Sequence, residues 1–261
     1  MDLGFQNRTV FISGASGGIG QAIARQFRAE GANVIVHYFR NEASANTLVA
    51  ELGSEHAMAV RADLTSETDV RDAFQQVADR FGDLQMLVAN AGVWPEEHVP
   101  VHEMSAQQWQ STMDTNLKSV FLCCRQFIQQ VVANGIDDPS IVMIGSTAGV
   151  FGEAGHGDYA ATKSALIHGL TLTLKNELAQ VSRLGRVNTV SPGWVVTPMA
   201  RSFTADEAAI ERALSTVALR KVAAPEDIAN AVSFLSSTLV AGHITGQAIT
   251  VSGGMEGRRL N

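Results

Sequence analysis

The chain has 261 residues, of which 46% are hydrophobic and 17% charged, with 23 glycines; this is the composition of a globular α/β protein with a substantial core, and it excludes a disordered or fibrous chain. A formal charge of −7 without any basic stripe argues against nucleic acid as a partner. No apolar run approaches the roughly 20 residues that span a bilayer, and Met1–Phe5 shows no leader pattern, so a cytoplasmic protein without membrane contact is expected.

Strands and helices alternate along the chain. Thr9–Ile12 reads as a first strand, followed by a glycine-rich turn and a helix over Gly18–Glu30. Val34–Val36 is the second strand, Ala43–Leu52 a helix and Ala57–Val60 the third strand. A helix follows over Glu67–Phe81 behind the cap residue Ser66, and Met86–Ala89 is the fourth strand. After Trp109, apolar residues at Leu117, Val120, Phe121, Cys124, Ile128 and Val131 predict a helix with one buried face, which Asn116 opens. Its adjacent Cys123 and Cys124 point in different directions, so they read as unbridged core or interface residues of a reducing compartment. Ile141–Ile144, Val187–Ser191 and Ile249–Val251 complete seven strands, with a long helix over Asp158–Val181. The pattern predicts a Rossmann-type, doubly wound parallel sheet with helices on both faces, in a single domain covering 1–261. Ligands of such sheets bind beyond the carboxyl ends of the strands.

The informative residues follow strands. Gly14-Ala15-Ser16-Gly17-Gly18-Ile19-Gly20 lies between the first strand and first helix, where glycine admits a pyrophosphate to the unpaired N–H groups of a helix start. The second strand ends His37-Tyr38-Phe39-Arg40 without the acid that usually binds ribose hydroxyls in NAD sites. Arg40 therefore suits a 2′-phosphate, favouring NADP(H) with NAD(H) as the alternative; as a bland reading it is a solvated loop arginine. Asp63, next to Leu64, suits the adenine amino group, or else marks the start of the following helix. Tyr159 and Lys163 stand four apart on one helix face, so the ammonium is expected to lower the phenol pKa and equip Tyr159 as general acid and base. Ser146 follows the fifth strand, Asn90-Ala91-Gly92 the fourth, and Pro192-Gly193 the sixth.

These elements, with Asn116 and Thr197, appear together in an order and spacing that resembles the short-chain dehydrogenase/reductases over essentially the whole chain. The resemblance implies a catalytic set of Asn116, Ser146, Tyr159 and Lys163. In it, Tyr transfers the proton, Ser orients the carbonyl or alcohol, Lys tunes Tyr and binds the nicotinamide ribose, and Asn supports a water leading to Lys. It further implies that Asn90, Ala91 and Gly92 line the adenosine and ribose side, and that Pro192, Gly193, Val195 and Thr197 line the nicotinamide. Two departures are Ala89, where many relatives carry a second Asn, and Gly17, where many NADP-dependent relatives carry a basic residue. A homotetramer or homodimer is implied, built on the helices after Asn116 and Tyr159 and on the last strand.

Substrate contacts are expected from Trp94, Phe151, His156, Trp194 and Met199, beside Pro95, Val150, Glu153 and Phe203, with a lid at about 194–217. This apolar, aromatic set suits a hydrophobic ketone, aldehyde or secondary alcohol as a free small molecule. The resemblance extends to 3-oxoacyl-(acyl-carrier-protein) reductases, which act on an acidic carrier and benefit from basic residues near the active-site mouth. Here Asp137-Asp138 and Gln180 stand where such reductases carry arginine, partly compensated by Arg183 and Arg186. Two further readings are a non-catalytic dinucleotide-binding regulator, opposed by the complete catalytic set, and an extended sugar-nucleotide epimerase, opposed by the short chain. His98-x-x-x-His102 has metal-ligand spacing, but Pro100 interrupts a helix there, and no metal is expected.

Overall fold

The computed structural model describes residues 2–197 and 207–255. Seven short strands form one parallel sheet: β1 (Thr9–Ile12), β2 (Asn33–Tyr38), β3 (Ala57–Arg61), β4 (Met86–Ala89), β5 (Ser140–Ile144), β6 (Arg186–Pro192) and β7 (Ala248–Val251), in the order β3-β2-β1-β4-β5-β6-β7. Their inner members read as continuous apolar runs because helices cover both faces. Alternate residues of one strand serve opposite cores: Val10 and Ile12 of β1 join one, Phe11 the other.

The first core packs α1 (Gly18–Ala29) and α10 (Pro225–Ser236) on the sheet through Ile23, Phe27, Ile228, Val232 and Leu235. Phe27 stacks on Phe5 with centroids 4.8 Å apart, fastening the amino-terminal segment. The second core lies under α3 (Glu67–Phe81), α5 (Ser119–Asn134) and α8 (Thr171–Val181), through Phe74, Cys124, Phe127, Leu174 and Leu178. Both cysteines are unbridged and buried there, and burial pushes the Cys124 thiol up to about 12. The remaining α-helices among the described residues are α2 (Glu42–Leu52), α4 (Ala106–Met113), α6 (Ala148–Phe151), α7 (Gly157–Ser164), α9 (Glu207–Leu214) and α11 (Thr238–Ala241). Strand order reverses between β1 and β4, and that switch point opens the crevice used by ligands in such sheets.

Three expectations are corrected. Asn116 does not open a helix: α4 runs through a π-helical turn, Asp114–Lys118, directly into α5. Val120, Cys124 and Val131 of the expected stripe are buried, together with Asn116, Cys123 and Phe127, but Phe121 is 46% exposed. The helix expected over Asp158–Val181 begins one residue earlier and contains a second π-helical turn at Ala165–Leu170, between α7 and α8. Arg186 supplies no charge to a surface, since it is 2% exposed and donates to the Leu235 and Ser236 carbonyls at the end of α10. Asp138 is likewise engaged, accepting from the Arg8 guanidinium. Met199 and Phe203, and with them part of the expected lid, lie outside the described residues. No helix among the described residues is long and apolar enough to cross a membrane.

Candidate active site

A cleft of about 860 Å³ opens over the carboxyl ends of the central strands. Its left wall begins with the glycine turn. Ser13 Oγ accepts from the Asn90 and Ala91 N–H groups at 2.9 and 2.8 Å, and Asn90 Nδ2 donates back to the Ser13 and Gly14 carbonyls at 2.9 and 3.2 Å. The ends of β1 and β4 are thereby tied together. Gly17 caps α1 without a side-chain bond, so the first N–H groups of the helix face the cleft beside Gly18 and Ile19. A Cβ on Gly20 would stand 2.4 Å from the Gly14 carbonyl oxygen and 2.7 Å from Ala15 Cα. The turn is thus folded back on its own helix as tightly as a backbone allows, and it fits a pyrophosphate laid on the helix start.

A residue missed in the sequence holds this turn. His37 Nδ1 accepts from the Gly14 N–H at 2.9 Å, which leaves the proton on Nε2 to donate to the Ala62 carbonyl at 3.1 Å. One neutral ring bridges β1, β2 and β3 at the lip of the cleft. Burial lowers its pKa from 6.5 to about 4, against the opposing pull of Ala62 and Asp63. The unfolded chain therefore binds a proton between about pH 4 and 6.5 that the folded chain does not, so stability rises with pH through that window. We expect wild type to lose roughly 2 kcal/mol from this residue between pH 7.5 and 5, and His37→Asn, whose amide oxygen can still accept from Gly14, to lose that dependence. Urea unfolding at the two pH values measures the difference; equal pH slopes in both proteins would refute it.

Ser16 and Arg40 line the same end with Asp63 and Leu64. Arg40 is exposed, its guanidinium 5.3 Å above the Phe39 ring. It makes no hydrogen bond or ion pair to a described residue. Asp63 accepts from the Thr65 N–H and hydroxyl at 2.9 and 2.7 Å, while Ser66 caps α3.

At the other end Ser146 follows β5 and Tyr159 rises from α7; a hydrogen bond joins their side chains and pulls the phenol pKa down, but burial outweighs it and sets the value at about 12. Lys163, one turn further, is 4% exposed and donates from Nζ to the Ile144 carbonyl at 2.9 Å. Its Nζ lies 5.6 Å from the Tyr159 ring centroid, and burial lowers its pKa to about 8. The expected lowering of the Tyr159 pKa by lysine is not what governs this arrangement, because burial disfavours the charged form of both groups. Asn116 sits beneath: Oδ1 accepts from the Val93 N–H at 2.8 Å and Nδ2 donates to the Val93 carbonyl at 2.9 Å. Gly92 separates it from the lysine, since a Cβ there would stand 3.2 Å from Asn116 Oδ1 and 3.4 Å from Lys163 Nζ.

Asp158, also missed, anchors the tyrosine helix. Fully buried, it accepts from the Thr112 hydroxyl at 2.8 Å, the Tyr159 N–H at 2.8 Å and the Gln108 amide at 3.3 Å, joining α7 to α4. Trp94 stacks on His156 and meets Tyr159 edge-on.

Of the residues expected from the sequence, Gly14, Ser16, Gly18, Ile19, Gly20, Arg40, Asp63, Leu64, Asn90, Ala91, Gly92, Trp94, Ser146, Tyr159, Lys163, Pro192, Gly193, Trp194, Val195 and Thr197 all line this one cleft. Three do not. Asn116 is buried below it, His156 stands behind Trp94, and Phe151 faces outward with 46% exposure. The last is a correction: α6 is a single turn, and its apolar end points away from Ser146. His98 packs on His156 while exposed His102 pairs with Glu103, so the two do not converge. Val93, Ser111, Thr115 and Met255 line the cleft without any motif to announce them.

The sequence matches the family described as enoyl-(acyl carrier protein) reductase over residues 14–256. The 3-oxoacyl-(acyl-carrier-protein) reductase FabG of Staphylococcus epidermidis is 36% identical over 251 residues, covering 95% of this chain and 99% of the relative. The protein of the same name in Escherichia coli K12 is 32% identical over 253 residues, covering 97% and 99%. A crystal structure from Brucella melitensis, titled short-chain dehydrogenase/reductase SDR: glucose/ribitol dehydrogenase, superposes with a TM-score of 0.88 at 33% identity, covering 98% of this chain and 99% of that one. The chain belongs to the short-chain dehydrogenase/reductase family. It is an NAD(P)-dependent oxidoreductase acting on C=O or CH–OH groups of a small-molecule substrate.

Proposed function

We propose that the protein reduces a ketone or aldehyde to its alcohol with NADPH, Tyr159 delivering the proton. The observation that carries this reading is the meeting of Ser146, Tyr159 and Lys163 in the cleft that the glycine turn also lines. In this reading Gly14, Ser16, Gly18, Ile19 and Gly20 hold the pyrophosphate, Asp63 and Leu64 the adenine, and Asn90, Ala91 and Gly92 the adenosine ribose. Pro192, Gly193, Val195 and Thr197 hold the nicotinamide, and Lys163 its ribose. When bound, the nicotinamide supplies the hydride in reduction and takes it in oxidation.

The chain's own residues manage the oxygen and the proton. Ser146 donates to the substrate oxygen and holds it beside the phenol. Tyr159, protonated far above neutral pH, gives its proton to the alkoxide as it forms, a more basic oxygen than its own. Lys163 then stabilises the phenolate, and Asn116 keeps the Gly92-Val93 loop in place above it.

Arg40 is the support for NADPH over NADH: it lines the cleft where a 2′-phosphate would lie and has no hydrogen-bonding partner among the described residues. Arg40→Ala should reduce kcat/KM with NADPH by about 10-fold or more and leave that with NADH within about twofold; an unchanged ratio removes Arg40 from cofactor choice. A single catalytic domain with a lid over 194–217, a cytoplasmic location, and a tetramer or dimer using α5, α8 and β7 complete the reading. Exposed Phe121 and Leu172 support the first two surfaces.

The second reading, a 3-oxoacyl-(acyl-carrier-protein) reductase, rests on the names of the relatives; the burial of Arg186 weighs against it. Absorbance at the nicotinamide band, with a panel of ketones, aldehydes and a carrier-bound 3-oxoacyl thioester, tests both. Oxidation of neither cofactor by any of them would overturn the proposal.

A further inference from the structure

The two ends of the cleft carry different acids. Asp63 follows edge strand β3, whereas Glu153 lies in the turn between α6 and α7, on the Ser146 and Tyr159 side. Glu153 lines the cleft half-buried, and its carboxylate has no hydrogen bond or ion pair to a described residue. Partly desolvated carboxylates ordinarily find donors within the protein; one left without them on the wall of a substrate cleft is placed to take them from the substrate.

Its neighbour is a fixed aromatic wall. The Trp94 ring lies 4.0 Å from the His156 ring at 22° and 4.8 Å from the Tyr159 ring at 76°. His98 packs edge-on against the same His156, 5.9 Å away, and the Val99 N–H donates to the Gly155 carbonyl at 2.9 Å. The loop bearing Trp94 is therefore fastened to the turn bearing Glu153. Flat apolar face, an acceptor without a donor among the described residues, and proton donor occupy one end of the cleft.

Resting on the carbonyl-reductase reading above, we propose that Trp94 and Glu153 select a compact, uncharged carbonyl compound that carries a hydroxyl group away from its carbonyl. The carbonyl sits at Ser146 and Tyr159, the C–H face of the molecule lies on Trp94, and the distal hydroxyl donates to Glu153. A carboxylate is an acceptor only, so it recognises donors and repels anions. A purely apolar ketone would desolvate Glu153 and leave it unpaired. A cationic substrate would meet Lys163 at the floor of the same cleft. The hydrophobic ketone expected from the aromatic side chains is thus narrowed by one acid.

Three ketones of one shape test this: 4-hydroxycyclohexanone, 4-methylcyclohexanone and 4-oxocyclohexanecarboxylate, with kcat/KM measured for wild type, Glu153→Gln and Glu153→Met. Wild type should favour the hydroxyl over the methyl compound by about tenfold or more, the size of one charge-assisted hydrogen bond, and should use the carboxylate least. Glu153→Gln should raise the carboxylate compound by about tenfold, and Glu153→Met should abolish the hydroxyl preference. Turnover of all three with equal efficiency, or ratios unchanged by both substitutions, overturns this assignment alone. Failure of wild type to turn over any of the three while it turns over other carbonyls of the panel overturns this assignment alone; failure on the whole panel overturns the reductase reading and the assignment with it.

Discussion

Tyr159→Phe should lower kcat by about 1,000-fold or more while dinucleotide affinity stays within about threefold, because only a general acid is removed. The substitution deletes one oxygen and keeps the ring against Trp94. Neither neighbour replaces the lost proton: Lys163 Nζ donates to the Ile144 carbonyl, and Ser146 loses the phenol and keeps, among the described residues, only the Ala148 N–H, which its oxygen accepts. The pH profile sharpens the test. With the phenol pKa at about 12, Tyr159 stays protonated through the ordinary working range, and reduction does not wait on its titration. Lys163 titrates at about 8, so the charge that stabilises the nascent phenolate is present below that pH and fades above it. Reduction by wild type should be level up to about pH 8 and fall beyond it, with Lys163→Met removing the break at a much lower rate. Stopped-flow turnover and fluorescence titration of NADPH separate chemistry from binding. A phenylalanine variant within tenfold of wild type would remove Tyr159 from the mechanism.

The second large effect is expected from Gly149→Ala, a position no motif advertised. Its Cβ would stand 2.6 Å from the Lys163 carbonyl carbon and 2.7 Å from the Ser164 nitrogen. Both are helix backbone, so relief requires α6 and α7 to separate, and those helices carry Ser146's turn and Lys163 itself. Overpacking of this kind costs about 1–3 kcal/mol or more, which in a chain of this size lowers Tm by several degrees, about 2–4 °C for each kcal/mol. A misplacement of about 1 Å between Ser146, Tyr159 and Lys163 should cost about 100-fold in kcat. Scanning calorimetry and steady-state kinetics check both; a variant with wild-type Tm and kcat would show that the two helices yield freely.

The strands were legible because burial on both faces leaves apolar runs such as Val34–Val36 and Ile141–Ile144. The cleft residues were legible because each follows a strand, and the sheet's topology brings strand ends together. The helix phase was not. An α-helical repeat assumes 3.6 residues per turn, and the π-helical turn at Asp114–Lys118 adds a residue that the pattern cannot register, which put Asn116 at a start; Phe121, in the regular helix after it, borders the buried Val120 and Cys124 without joining them. His37, Asp158 and Gly149 were missed for another reason. Each acts through a contact with a distant segment, at Gly14 and Ala62, at Thr112, and at Lys163, and spacing along the chain carries no trace of such pairings.

The end of β2 also bears on how such a protein can change. His37 holds the scaffold through both ring nitrogens, while three residues later Arg40 lies over the neighbouring Phe39 ring without a hydrogen bond or ion pair to a described residue. Support is thus carried by one side chain and, in the NADPH reading proposed above, selectivity by another on the same short segment. Substitution at position 40 should leave the glycine turn braced by His37, so on that reading cofactor preference can drift, or be engineered, by changes at a single exposed site.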